Sequence, residues 1–395
     1  MAAIQGLRGT GEFSVDFRPK NYRELFTLLE PNGTAPLQAL LAMAASEETN
    51  DPEYKHFRDE LPNRTVTVAT GVNDSATSIT LSADTTNNPL IVPGTLLYNP
   101  ATGETVRVTA FDTGTLAATI VRGVGSTNVA IATSQELTVA GFADVEGGNS
   151  PTAISFESSV QSNYTQIFKT AIQLSGTLQN TYLRTGSKES EMLMKALKLH
   201  MMDIERAFFF GNKSETNGST AQPLRTTGGL FSLIPNIVDA DSNPYSDGAG
   251  VITEKSFDRA LVESIFAFGS SEKVAFCGPR VIAHLQELAK GRWQPQQVSG
   301  SYGVSMTRYS TFAGDLLVQL HPMFRQISDS NDTMVILDMP HIKYRYMKNR
   351  DTKLQKNIQG TDFDGVKHQY ITECGLELTQ GKVHTIIKNW SALSA

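Results

Sequence analysis

The chain has 395 residues, with 34 Lys and Arg against 40 Asp and Glu, a net charge of −6 and 40% hydrophobic content. That length exceeds one simple core and predicts two or more domains, while the acidic balance argues against a general nucleic-acid binder, whose affinity rests on neutralising phosphates. No run of eighteen apolar residues occurs, so no transmembrane helix is expected. The start, MAAIQGLRGTGEFSVDF, has neither the basic nor the apolar region of a secretory signal. Two distant cysteines, Cys277 and Cys374, exclude a disulfide framework or a cysteine-built zinc site and suggest a reducing compartment. The N-x-S/T triplets at Asn32, Asn163 and Asn217 carry no meaning without a signal peptide.

Residues 1–62 read as an arm. Gly6, Gly9 and Gly11 loosen its start. Two short helices, Tyr22 to Leu29 and Pro36 to Ala45, carry the apolar faces Leu25, Leu28, Leu29 and Leu37, Leu40, Leu41. Joined by PNG, they bury those leucines poorly against each other, so the faces need the rest of the chain or a neighbouring subunit.

From Thr65 to Val145 the composition changes, with seventeen Thr, no Met, no Lys, and Arg107 and Arg122 against six acids. Turn signals separate the β-prone runs TVTVAT, TLLYN, ETVRVTAF, TLAATIVRG and QELTVAGFA, which predicts a compact all-β module inserted in a longer element. Val106, Val108 and Ala110 alternate with polar neighbours, giving one dry face. YKHFRDELPNRT before the module and QIFKTAIQLSGTLQN after it read as two legs of one extended loop.

Ser187 to Gly211 holds the strongest helical pattern, with Leu193, Leu197, His200/Met201, Ile204 and Phe208 on one face. Ser187 is placed to cap it, Glu189 and Glu191 suit the positive end of its dipole, and Gly211 stops it. At 1.5 Å per residue it spans roughly 36 Å, the length of a central spine. A second helix is expected over Thr253 to Phe268, with Phe257, Leu261, Ile265 and Phe268 aligned. The strand KVAFC, the break Gly278-Pro279 and the helix RVIAHLQELAKG make a tight βα unit, joined by strands in MTRYSTFAGDLLVQLHP and TMVILDM. HIKYRYMKNR and HQYITECGLELTQGKVHTIIKN read as strands returning to a sheet, with Lys343 and Arg345 opposite Tyr344 and Tyr346.

Chemistry-bearing patterns are absent. GNKSETNGS lacks phosphate-loop spacing and follows a helix, the seven His show no H-E-x-x-H pair, and no G-x-S-x-G elbow occurs. Asp362 and Asp364 lack a calcium-loop context and read as a solvated turn. Six cations, Lys343, Arg345, Lys348, Arg350, Lys353 and Lys356, stand against Asp338 and Asp351 over residues 338–356. Pairing with acids of a neighbouring subunit is favoured over DNA contact. No cofactor is implied, and nothing argues for catalysis.

The order of elements resembles the major capsid protein of tailed bacteriophages, the Hong Kong phage capsid fold. SKESEMLMKALKLHMMDIERAFFFGN matches its spine, KVAFCGPRVIAHLQELA its axial domain and YITECGLELTQGKVHTIIKN its closing strands. The resemblance implies an α+β fold: arm 1–62, extended loop 63–160 with the insertion at about 65–145, peripheral domain 161–221, axial domain 222–340, and peripheral strands 341–395. It implies a structural virion protein, assembled in the host cytoplasm into hexamers and pentamers of an icosahedral shell around double-stranded DNA. Implied partners are a separate scaffolding protein, since the Gly- and Pro-rich first sixty or so residues suit no long scaffold helix, then portal and decoration proteins, and DNA by weak non-specific contact. Leu25, Leu28, Leu29, Leu37, Leu40, Leu41, Lys343, Arg345, Lys348 and Arg350 are the candidate subunit-interface residues. A tail, baseplate or receptor-binding protein is the alternative, disfavoured by the spine helix and α/β domain; a carbohydrate hydrolase would need an acid pair the sequence does not suggest.

Overall fold

A computed structural model describes residues 41, 45–83, 88–148, 151, 153–181, 187–216, 222–241, 250–289, 296–298, 306–327 and 330–390. The chain divides into two units, Met1–His56 with Ser162–Ala395, and Phe57–Gln161.

In the first unit the expected spine is a helix over Lys188–Phe210, with Ser187 and Gly211 as its cap positions. Ser187 makes no side-chain cap bond; the first turn is held by Glu191, which pairs with Lys188 at 2.8 Å and with Lys195 one turn on. Burial is confined to Ala196, His200, Ile204, Glu205, Phe208 and Phe209. Leu193, Leu197 and Met201 are half-buried rather than core, and Met194 and Leu199 are exposed. The helix is thus gripped by its C-terminal half.

One grip is a sheet ordered Ser46–Thr49, Ile342–Met347, Gly365–Leu378, Gln166–Ser175, with Lys353–Gln355 also paired to the long strand. Gly365–Leu378 is antiparallel to Gln166–Ser175 over ten residue pairs, while Ile342–Met347 and Lys353–Gln355 share its other edge. Ser46–Thr49 adds in parallel to Ile342–Met347, so the end of the supposed arm is an edge strand of this sheet. Leu41 is buried in the same core with Phe168, Ile204 and Phe208. Its side chain is thus covered within its own chain. His200 fastens the spine to the sheet, hydrogen-bonding Thr170 Oγ1 at 3.0 Å and Thr372 Oγ1 at 2.8 Å.

The other grip is a sheet of seven strands among the described residues, in the order Ile237–Asp239, Thr385–Lys388, Met334–Leu337, Glu272–Cys277, Asp315–Leu320, Met306–Ser310, Gln296–Val298. Alternate residues enter two cores: Val274, Phe276, Val335 and Leu337 pack with Phe208 and Phe209, while Ala275, Cys277, Met334 and Ile336 pack with Phe257, Val281 and Trp390. Burial on both faces explains why these strands read as continuous apolar runs. Thr385–Lys388 belongs here and not to the sheet of Gly365–Leu378, a correction to the grouping of all residues after 341. Glu205 of the spine meets His321 at 2.7 Å, both side chains buried, among the rings of Phe209, Phe276 and Phe324.

The helix expected to Phe268 is regular over Glu254–Ala260, opened by a Thr253/Ser256 capping box, and passes into a π turn at Leu261–Ile265. The wider turn shifts the register. Phe257, Leu261 and Ile265 are buried, but Phe268 is exposed.

In the second unit, six strands are ordered Thr65–Thr67, Glu136–Phe142, Thr95–Tyr98, Thr105–Asp112, Ala117–Val121, Ser78–Thr80. The sheet curls until its ends meet: Val68 bridges Leu81, Ala69 N–H donates to Thr80 O at 2.9 Å, and Ser82 N–H to Thr67 O at 2.8 Å. Closure leaves no long free edge. Val106 and Val108 are buried as expected, but Ala110 is exposed because the register shifts between Val108 and Ala110. Beside the apolar core lies a buried ion pair. Arg122 Nε and Nη2 each donate to Glu104 at 2.7 Å, the Gly123 and Val129 N–H groups also reach the carboxylate, and Arg122 Nη1 donates to Asn73 O at 2.8 Å. Burial pushes the Glu104 carboxyl up, but Arg122 and those N–H groups outweigh it and hold the carboxyl below its usual range.

Two predictions follow from these buried polar groups. Residues 64–146 expressed alone should unfold cooperatively in urea. Arg122→Met should cost that fragment about 3 kcal/mol or more, because Glu104 is left buried without a counter-charge. Adding Glu104→Gln should recover part of the loss. The second concerns His384, which is buried and accepts the Asp338 N–H on Nδ1 at 3.0 Å. Burial pushes its pKa down to about 3. The unfolded chain therefore takes up a proton near pH 6.5 that the fold refuses, so stability present above about pH 6.5 is lost as pH falls toward 3, at about 1.4 kcal/mol per pH unit. His200 and His284, also depressed by burial, act in the same sense. Urea unfolding between about pH 6 and 5 should lose one proton's worth of slope in His384→Gln; an unchanged slope would contradict the assignment.

Candidate assembly surfaces

The chain leaves and re-enters the first unit through Glu53–Arg58 and Ser159–Tyr164, at a polar joint. Asn163 is buried; its Nδ2 donates to Leu376 O at 2.8 Å and Gly228 O at 3.0 Å, and its Oδ1 accepts from Gly228 N–H at 2.7 Å and Tyr164 N–H at 2.8 Å. On the other leg, Tyr54 Oη donates to the same Leu376 carbonyl at 2.8 Å, and Thr165 N–H donates to Pro52 O at 2.8 Å. A side chain at Gly375 would stand 2.4 Å from Tyr54 Oη and 2.7 Å from Tyr164 O, so only glycine admits both legs here. The joint residues Tyr54, Asn163 and Tyr164 belong to a two-stranded ribbon in which Glu53–Arg58 pairs with Ser159–Tyr164. In the second unit Phe57 and Leu61 are 79% and 88% exposed, and Ile154, Phe156 and Val160 are exposed too.

The basic strand has its charges met inside its own chain. Lys343 and Arg345 reach Glu47 at 3.4 and 2.9 Å, Arg345 also pairs with Glu377, Lys348 stands 3.7 Å from Glu48, and Arg350 reaches Glu373 at 2.5 Å. Burial raises the Glu47 carboxyl, yet Arg345 and Lys343 outweigh it and hold it below the usual carboxylate range. These acids differ from the neighbouring-subunit partner that the sequence suggested. Tyr344 and Tyr346 take the opposite face, against Phe208 and each other. Leu25, Leu28, Leu29, Leu37 and Leu40 lie outside the described residues.

Sequence reasoning missed Lys273, which stands beside Glu272 at the polar start of the run KVAFC and looks like an ordinary surface cation. Its buried ammonium donates to Ile265 O at 2.6 Å, Phe268 O at 2.8 Å and Val383 O at 2.7 Å. Burial pushes its pKa down, while Asp338 pulls it up. The three carbonyls belong to segments flanking an open groove of about 380 Å³, lined by Pro235, Ile237, Glu263, Ala267, Phe268 and Lys382. Asn163 was likewise missed; as an N-x-S/T residue it gave no local sign of its buried contacts. Among the described residues no three His, Cys, Asp or Glu gather as metal ligands, and no helix is long and apolar enough to cross a membrane.

Removing the Asn163 amide leaves several buried partners unsatisfied. Asn163→Ala should destabilise the full chain by about 2 kcal/mol or more in urea unfolding; a change below about 0.5 kcal/mol would show that the joint is not needed.

Comparison with known proteins places the chain. A family model described as SU10 major capsid protein matches residues 8–391. The major capsid protein of Pseudomonas phage PaMx41 is 28% identical over 368 residues, covering 91% of this chain and 86% of its own. Among solved structures, the capsid of a native GTA particle aligns over 96% of this chain and 97% of its own, with TM-score 0.47 and 8% identity. The capsid of Myoviridae phage XM1 aligns over 93% and 96%, with TM-score 0.43 and 11% identity. The family match spans almost the whole sequence: the chain belongs to the SU10 major capsid protein family and is a structural, non-enzymatic protein of the phage capsid.

Proposed function

We propose that copies of this chain close an icosahedral shell around double-stranded DNA, using the Hong Kong phage capsid fold with an all-β domain inserted in its extended loop. The family match over residues 8–391 carries this reading. The order of elements supports it: an extended strand pair, a spine helix, an α/β sheet and a long returning strand. The curled six-stranded sheet with its separate core, entered and left through one ribbon, supports the inserted domain.

In this reading Leu25, Leu28, Leu29, Leu37 and Leu40 of the arm, together with Phe57 and Leu61 of the loop, pack on neighbouring subunits within hexamers and pentamers. Phe57 and Leu61, exposed as they are, gain most from a covered interface. Lys343, Arg345, Lys348 and Arg350 brace the subunit through their own acids, so packaged DNA meets few uncompensated cations and is held weakly. Scaffolding, portal and decoration proteins complete the assembly as separate chains.

Full-length protein, alone and with the products of its neighbouring genes, should form capsomers, tubes or shells in electron micrographs. A monomer that persists at every concentration, with and without those products, would overturn the reading.

A further inference from the structure

The sheet built on Gly365–Leu378 ends in two unlike edges. Ser46–Thr49 forms one, short and carrying Glu47 and Glu48. Gln166–Ser175 forms the other, ten residues with no Pro and one charged residue, Lys169. The direction of its backbone groups follows from its neighbour. Glu373 N–H donates to Arg350 O at 2.9 Å and Ile358 N–H to Lys367 O at 2.9 Å, so the odd-numbered residues of the long strand turn away from Gln166–Ser175 and the even-numbered ones turn toward it. Phe168 stands opposite Thr372, Thr170 opposite Tyr370 and Ile172 opposite His368. That leaves Ile167, Lys169, Ala171 and Gln173 with N–H and C=O groups aimed at the outer edge, where no strand among the described residues pairs with them. All four side chains are exposed. Such an edge is a template for a further strand, and native chains cover it.

The arm carries a segment that fits it. Phe13, Val15 and Phe17 alternate with Glu12, Ser14 and Asp16, between Gly11 and Pro19, the period of a strand with one dry and one acidic face. The edge is divided in the same way. On the spine side Phe168 packs in the core with Ile204 and Phe208; the opposite side shows Lys169, with Lys353 and Lys367 on the neighbouring strands. Laid antiparallel with Asp16 opposite Lys169, the segment puts Ser14 opposite Ala171 and Glu12 opposite Gln173, whose partner is Lys367. Arg18 then falls opposite Ile167, whose partner is Glu373. Phe17 and Phe13 take the spine side, beside Phe168 and Ile172. A slip of two residues either way brings Asp16 toward Glu373 or Arg18 against Lys169, like charges in both cases.

We propose that residues 12–17 of the arm add to the Gln166–Ser175 edge of their own chain as an antiparallel strand. The arm is tied close by, since Leu41 is buried in the same core as Phe168. Residues 18–40 as a flexible chain span roughly 26 Å, against about 14 Å across the three strand intervals from Ser46–Thr49 to Gln166–Ser175. A segment so tethered has an effective concentration in roughly the millimolar range, well above that of another copy's arm in dilute solution. Docked there, the arm hides the edge and keeps unassembled copies from pairing edge to edge. The contact does not depend on how copies assemble.

Residue-resolved hydrogen exchange on the unassembled full chain tests it. The amides of Ile167, Lys169, Ala171 and Gln173 should exchange at least about a hundredfold more slowly than in a chain lacking residues 2–20. Those of Phe168, Thr170 and Ile172, bonded to the long strand, should stay protected in both, which shows the sheet intact. Ser14→Pro removes the N–H opposite Ala171 and should release the four amides as the truncation does. Asp16→Lys should speed their exchange about threefold or more, and Asp16→Lys combined with Lys169→Asp should restore the wild-type rate. Equal exchange of the four amides with and without residues 2–20 overturns the inference. So does protection that is lost on about a hundredfold dilution, which assigns the edge to a second copy. A double variant as fast as Asp16→Lys alone overturns the pairing of Asp16 with Lys169. None of these outcomes bears on the shell reading, which electron micrographs decide.

Discussion

The hydrogen bonding of Gly365–Leu378 along both edges is the constraint on which the first unit depends. Gln166–Ser175 takes one edge; Ile342–Met347 and Lys353–Gln355 take the other. A strand paired on both sides and buried along residues 371–378 has no alternative register that keeps Cys374, Leu376 and Leu378 in the core. Everything that projects is referred to it: the spine through Thr372, the loop legs through the Leu376 carbonyl, and the edge strand Ser46–Thr49 through Arg345 and Glu377.

Buried polar groups add direction to that frame. Glu205 with His321 orients the spine against the seven-stranded sheet, Lys273 ties three backbone segments together, and Glu104 with Arg122 does the same in the second unit. Apolar burial supplies most of the favourable free energy but is non-directional. Each polar group is satisfied in one arrangement and costly in others. A subunit that must present the same surfaces to many neighbours benefits from such a restriction.

Much of this frame was legible in the sequence, because periodicity reports which face an element buries. The spine, the strand-Gly-Pro-helix unit and five of the six strands of the second unit followed from it. Where the pattern failed, the cause was non-local. Ser46–Thr49 is polar because an edge strand with one exposed face needs no apolar run. Ser78–Thr80 is too short to show alternation. Thr385–Lys388 looks like its neighbours in sequence, and only the packed structure decides which sheet it joins. Lys273, Glu205 and Asn163 read as ordinary polar residues, since each has a buried partner far along the chain, 110, 116 and 213 residues away. The basic strand was visible as a charge excess, but its acids arrive from Glu47, Glu48, Glu373 and Glu377, outside the window that revealed it.

Native-state hydrogen exchange on the unassembled chain tests the central role of Gly365–Leu378 most directly. Amides of residues 366–378 and their partners in residues 166–175 should open only with global unfolding of the first unit, as the slowest class in the molecule's main sheet. Faster exchange of those amides, through a local opening that leaves the seven-stranded sheet protected, would contradict the account.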